Sequence, residues 1–72
     1  MDKRETVDLT LDGNPYPVRA GTSLAALVAS LGHAPNKVST AVNGLFVPRA
    51  GREAYVLQDG DAVLLFQPIV GG

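Results

Sequence analysis

The 72-residue chain has no cysteine and a single histidine, His33. Disulfide scaffolds, zinc ribbons, iron–sulfur sites and cysteine nucleophiles are therefore excluded. It has no basic excess either: six Lys+Arg stand against seven Asp+Glu, a formal net charge of −1. A nucleic-acid binder must displace counterions along a phosphate backbone, so no nucleic-acid partner is expected. No apolar run approaches the roughly 20 residues needed to cross a bilayer, and no membrane partner is expected. The first residues, Met1-Asp2-Lys3-Arg4-Glu5, mix both charge signs and lead into no apolar segment. They do not read as a signal peptide, and a cytoplasmic location is expected. The length allows one domain, and a domain this small buries only about 60% of the surface its unfolded chain exposes. A deep cleft with its own cofactor and catalytic residues is hard to build at that size.

What is present is a clear alternation of patterns. Val7, Leu9 and Leu11 alternate with Asp8 and Thr10, the period of a strand buried on one face. Asp12-Gly13-Asn14-Pro15 reads as a turn, and a second strand is expected from about Tyr16 to Arg19. Pro17 lacks an N–H donor, which places that strand at a sheet edge. Thr22 or Ser23 can cap a helix whose apolar stripe is Leu24, Leu27, Val28 and Leu31, at i, i+3, i+4 and i+7. Gly32 suits the left-handed position after the helix, and Pro35 prevents its resumption. Val38, Thr40 and Val42 alternate again and run into Asn43-Gly44, the strongest short-range hairpin signal. Leu45-Phe46-Val47 is the return strand, stopped by Pro48. Residues from Arg49 to Leu57 are irregular, with a single helical turn expected near Gly51 to Ala54. Gln58-Asp59-Gly60-Asp61 is a turn before a last strand, Ala62 to Phe66. The order β-β-α-β-β-β describes one α+β domain over residues 1–72. Residues 1–5 are expected to form a charged N-terminal extension and residues 67–72 a flexible C-terminal tail.

One helix covers only one face of such a sheet. Yet the last strand is apolar on both: Val63 and Leu65 on one side, Leu64 and Phe66 on the other. Either the uncovered pair is a binding surface, or a loop such as Arg49 to Leu57 folds over it. After this strand come Gln67-Pro68-Ile69-Val70-Gly71-Gly72. A terminal Gly-Gly is free of side-chain bulk and can be threaded, carboxylate first, into a narrow active site of another protein. As a bare dipeptide it is a weak signal.

In combination these features resemble the ThiS family, bacterial sulfur carriers of thiamine biosynthesis with the ubiquitin-like β-grasp fold. The resemblance runs from about Val7 and is sharpest at Ala41-Val42-Asn43-Gly44, Val47-Pro48-Arg49, Leu57-Gln58-Asp59-Gly60-Asp61 and Gly71-Gly72. It implies a five-stranded mixed sheet with the helix on one face. The ubiquitin-like register, counted back from Gly71-Gly72, puts Val63 and Leu65 in the core and Leu64 and Phe66 on the open face. The implied chemistry sits at the last residue. A ThiF-like adenylyltransferase would join the Gly72 carboxylate to AMP from MgATP, the chain itself binding no cofactor. Sulfur from a persulfide donor would then give a Gly72 thiocarboxylate for a thiazole synthase. The chain is thus expected to be a protein co-substrate and not an enzyme, monomeric when free. Gly72 is the acceptor of AMP and sulfur, Gly71 part of the threaded tail. Leu64, Phe66, Pro68, Ile69, Val70 and Arg49 are the expected partner-binding residues.

Other residues have plainer readings. Asp59 and Asp61 lack the further ligands that calcium or magnesium would need, and a turn explains them. His33 has no ligating partner nearby in sequence and fits a helix end. Arg49 and Arg52 read equally as contacts to acidic groups on a partner or as solvated loop charges. Three other functions share these features. The small subunit of molybdopterin synthase uses the same fold and the same thiocarboxylate, a ubiquitin-like modifier would form isopeptide bonds through Gly72, and a plain interaction module would carry an incidental Gly-Gly end.

Overall fold

A computed structural model of the chain describes residues 5–67. Strands β1 (Thr6–Leu11) and β2 (Asn14–Arg19) form an antiparallel hairpin closed by Asp12 and Gly13 alone. Both turn residues have positive φ, 52° and 86°, as a two-residue type I′ turn requires. The broader turn expected through Pro15 is thereby corrected. So tight a reversal puts Asn14 directly opposite Leu11 and draws Asn14 and Pro15 into the strand. β2 is an edge strand, where the missing donors of Pro15 and Pro17 cost least. The Ala20 amide donates to the Glu5 carbonyl at 2.8 Å, tying Glu5 to the chain just past β2; the rest of the expected N-terminal extension, residues 1–4, lies outside the described residues.

The helix, α1 (Leu24–Ser30), is capped by Ser23, whose Oγ accepts from the Ala26 amide at 3.1 Å. Thr22, the other capping candidate, instead donates its hydroxyl to the Arg19 carbonyl. At the far end Gly32 takes φ 84° and donates to Ala29, while His33 donates to Val28. These two bonds form a Schellman motif and satisfy carbonyls that the helix leaves unpaired. Leu24, Leu27 and Val28 are buried and Leu31 packs partly against the same core.

Strands β3 (Ser39–Val42) and β4 (Leu45–Val47) make the second hairpin around Asn43-Gly44, with φ 53° and 82°. Strand β5 (Ala62–Phe66) has the bounds read from the sequence. It lies at the centre of the order β2-β1-β5-β3-β4, parallel to β1 and antiparallel to β3, so the sheet is mixed as expected. Short 3-10 turns occupy Pro35–Lys37 and Arg49–Gly51. The second corrects the turn expected at Gly51 to Ala54. It starts from the Pro48 carbonyl, which accepts from the Gly51 amide at 2.9 Å.

The core lies between α1 and one sheet face. Leu9, Val42, Val47 and Val63 from the strands meet Leu24 and Leu27, and Leu57 closes it from the loop before β5. Burying each such side chain contributes about 1.5–3 kcal/mol, which is how a single helix can hold so small a sheet.

Candidate functional site: the open sheet face and the end of β5

Residues directly opposite one another in a sheet share a face. The register therefore sorts the strands without ambiguity. Leu65 pairs with Thr40 and Thr40 with Val47, a row facing the helix. Leu64 pairs with Ala41 and Ala41 with Phe46, a row on the opposite face, and Phe66 extends that face opposite Ser39. Val63 is fully buried and Leu65 packs against the core, whereas Leu64 and Phe66 are 45% and 48% exposed. The assignment of these four residues to two faces follows the expectation.

The open face is chemically divided. Its β1–β2 half carries Thr6, Asp8 and Thr10 opposite Arg19, Pro17 and Pro15. Its β5–β3–β4 half carries Leu64, Phe66, Ala41 and Phe46, with Phe46 64% exposed. No loop among the described residues covers this apolar half. The segment from Arg49 to Leu57 is committed elsewhere: the Leu24 amide donates to the Tyr55 carbonyl, the Leu57 amide to Thr22, and Ser23 bridges Val56. That segment braces the start of the helix on the covered face.

Because β3 runs antiparallel to both neighbours, the ends of β4 and β5 and the start of β3 share one edge of the sheet. Arg49, exposed just beyond β4, lies at the edge from which the chain continues past Phe66 and Gln67. An open groove of about 330 Å³ occupies the same end, lined by Leu11, Leu31, Val38 and Leu65 together with His33 and Gln67. His33 is half-buried there at the helix end. Pro68, Ile69, Val70, Gly71 and Gly72, five of the expected site residues, lie outside the described residues.

Arg52 overturns both of its readings, since it is neither a solvated loop charge nor available to a partner. It is 4% exposed, and its guanidinium donates to Thr40 Oγ1 at 3.1 Å, the Pro35 carbonyl at 2.9 Å and the Val38 carbonyl at 2.6 Å. Burial, and secondarily the charge of Arg49, lowers its pKa below the ordinary guanidinium value. Three oxygen acceptors in fixed directions suit the planar fork of arginine and hold it in place without a carboxylate.

The Asp59-Gly60-Asp61 turn is built into the sheet. The Asp8 amide donates to Asp59 Oδ1 and the Gly60 amide to the Asp8 carbonyl, both at 2.7 Å. Asp61 is buried and accepts from the Asn43 side-chain amide at 3.0 Å and from the Gln58 amide at 2.8 Å. Asn43 Oδ1 accepts from the Ala62 amide at 2.9 Å. Asn43 thus serves the start of β5 as well as its own hairpin turn, a role its turn signal alone does not reveal. Among the described residues no three His, Cys, Asp or Glu side chains cluster as metal ligands, and no helix is long and apolar enough to cross a membrane.

With this geometry in place, comparison with known proteins is informative. Residues 9–72 match the ThiS family. The chain is 38% identical over 53 residues to the sulfur carrier protein ThiS of Escherichia coli, a match spanning 74% of this chain and 80% of that one. It is 40% identical over 62 residues to a thiazole synthase of Magnetococcus marinus; the match takes in 86% of this chain but spans only 19% of that protein's length. The crystal structure of the thiamine biosynthesis protein ThiS from Geobacter metallireducens superposes with a TM-score of 0.80 at 29% identity, covering 92% of this chain and 100% of that one. A computationally designed protein based on human erythrocytic ubiquitin superposes with a TM-score of 0.54 at 19% identity, covering 96% of this chain and 98% of that one, a likeness of fold alone.

Proposed function

The chain belongs to the ThiS family, and from that premise we propose that it carries sulfur as a thiocarboxylate on Gly72. It is a sulfur carrier of thiamine biosynthesis, a carrier rather than a catalyst. The observation that supports the finer reading most is that the family match runs through the Gly71-Gly72 pair at residue 72.

The chemistry follows from what a carboxylate lacks. Its oxygen is a poor leaving group, so the acyl carbon must first be activated. A ThiF-like adenylating enzyme supplies MgATP: a Gly72 carboxylate oxygen attacks the α-phosphorus, pyrophosphate leaves, and an acyl-adenylate results. The terminal sulfur of a persulfide donor attacks the acyl carbon and AMP leaves. A thiol then cleaves the S–S bond of the acyl disulfide, being oxidised to a disulfide as the thiocarboxylate is released. The carrier hands this sulfur to a thiazole synthase. Support for that partner comes from the thiazole synthase of Magnetococcus marinus, which contains a stretch 40% identical to this chain. The absence of cysteine fits the scheme, since no internal thiol competes for the activated terminus.

Leu64, Phe66 and Phe46 form the surface by which the folded body docks on its partner enzymes, with Arg49 at its border. An exposed apolar patch on so small a domain marks an interaction site. The ThiS of Geobacter metallireducens is a thiamine biosynthesis protein and the Escherichia coli relative is likewise a ThiS, which favours this pathway over the molybdopterin synthase small subunit. The test is intact mass after incubation with MgATP, the adenylating enzyme, a persulfide donor and thiol. A gain of about 16 Da, one oxygen exchanged for sulfur in this acyl transfer, is expected.

A further inference from the structure

Positive charge gathers at the edge where β4 ends and β3 begins. Lys37 stands two residues before Ser39 and Arg49 two after Val47, and both are exposed. Arg52 ties the two together. Its guanidinium donates to the Pro35 and Val38 carbonyls, on either side of Lys37, and its amide donates to the Arg49 carbonyl at 3.2 Å. Burial lowers the pKa of Arg52, and the nearby Arg49 charge lowers it further. The acceptors of Arg52 are a hydroxyl and two carbonyls, which satisfy its donors but leave its charge unneutralised. Among the described residues no carboxylate forms an ion pair with any of these three cations. Asp12, at the same end of the sheet, lies across β5 on the β1 side and accepts from the Leu65 amide at 3.2 Å. A chain of net charge −1 thus holds three uncompensated cations at one border of its apolar half.

A protein interface has an apolar core and a polar rim. With Leu64, Phe66 and Phe46 as the core, Lys37 and Arg49 occupy the rim on the β3–β4 side. Neither lines the groove at this end of the molecule, so they do not enclose a small anion. What reaches them is the surface of the docked protein. We propose that Lys37 and Arg49 are a recognition pair for carboxylates: the adenylating enzyme meets this border of the open face with Asp or Glu side chains. The inference rests on the carrier reading and the docking face proposed above. Rim charges act mainly before contact, steering encounter and excluding wrong orientations, and their effect is screened by salt. That suits an enzyme that must capture a fresh carrier at each turnover. Arg19, at the opposite end of the sheet beside Thr6, has no such place in the rim.

The test measures by stopped flow the association rate constant of the full-length carrier with the adenylating enzyme. Salt is set at about 0.01 M and about 1 M, where the screening length is about 30 Å and about 3 Å. Native carrier is compared with Lys37→Gln/Arg49→Gln, with the reversal Lys37→Glu/Arg49→Glu, and with Arg19→Glu. The first and last lower the net charge equally, at opposite ends of the sheet. Neither the Lys37 nor the Arg49 side chain bonds to a described residue, so melting temperatures should match native. The neutral double variant should associate about tenfold more slowly at low salt and equal native at high salt. The reversal should be slower still, and Arg19→Glu within about twofold of native. A native salt dependence in the neutral variant, a reversal faster than native, or an Arg19→Glu variant equally slowed each overturn the inference while the carrier reading stands. A native chain that is not adenylated overturns the carrier reading and the inference with it.

Discussion

Arg52 Nε donates to Thr40 Oγ1 at 3.1 Å, and the same Thr40 hydroxyl donates to the Val47 carbonyl at 2.9 Å. Two residues twelve apart thus link the loop after β4 to the middle of β3 and, through it, to β4. The rest of the guanidinium ties down Pro35 and Val38, the approach to β3. Arg52→Met keeps much of the bulk but strands these acceptors. With each buried unsatisfied group costing about 1–3 kcal/mol, the variant should lose about 2–4 kcal/mol of stability. Urea unfolding reads this directly, and a loss under about 1 kcal/mol would show that water replaces the guanidinium without cost.

Asn43 carries a parallel prediction for the other end of the molecule. Asn43→Gly satisfies the positive φ of the hairpin and keeps the backbone bond to the Ala62 carbonyl, but deletes the side-chain bonds to Asp61 and to the Ala62 amide. If only the turn mattered, the substitution would be near neutral. Because Asp61 is buried and loses a donor, a cost of about 1–3 kcal/mol is expected. Thermal unfolding of the two proteins side by side distinguishes these outcomes.

These two contacts mark where the sequence stops being legible. Local patterns carry the strand alternation, the helix stripe and the two-residue turns, because each depends on neighbours within a few positions. The bounds of β5 and the division of its four apolar residues between faces came through intact. The start of β2 did not, because Asn-Pro after a turn looks like more turn until the tightness of Asp12-Gly13 is known. The burial of Arg52 was illegible for a stronger reason. Its acceptors include two backbone carbonyls, which every residue type supplies, so no residue pattern announces them. The Asn43–Asp61 pair spans eighteen positions and becomes visible only once β3 and β5 are neighbours. Of the candidate site, alternation separated Leu64 and Phe66 from Val63 and Leu65, the family resemblance selected which pair is exposed, and the contribution of Phe46 needed the β3–β4 register.

The apolar half of the open face yields a prediction about docking. Phe66→Ala removes a ring that is about half exposed, so the fold should lose less than about 1 kcal/mol. At a docking surface the same ring is an anchor, and its loss should raise the KM for the adenylating enzyme about tenfold or more. Phe46→Ala, in the adjoining row, should act in the same direction. Steady-state kinetics beside a denaturant melt separate the two effects. Unchanged KM in both variants would remove this face from the interaction.

The most direct measurement concerns Gly72. Deleting it shortens the reach of the carboxylate by up to about 3.5 Å. A misplacement of about 1 Å already costs on the order of 100-fold when reacting atoms must be aligned. The truncated and native chains are each incubated with MgATP, the adenylating enzyme, a persulfide donor and thiol, then weighed intact. The native chain should gain about 16 Da by acyl transfer to sulfur. The truncated chain should melt like the native one and gain nothing. Equal conversion of the two chains would contradict the carrier mechanism and leave an interaction module in its place.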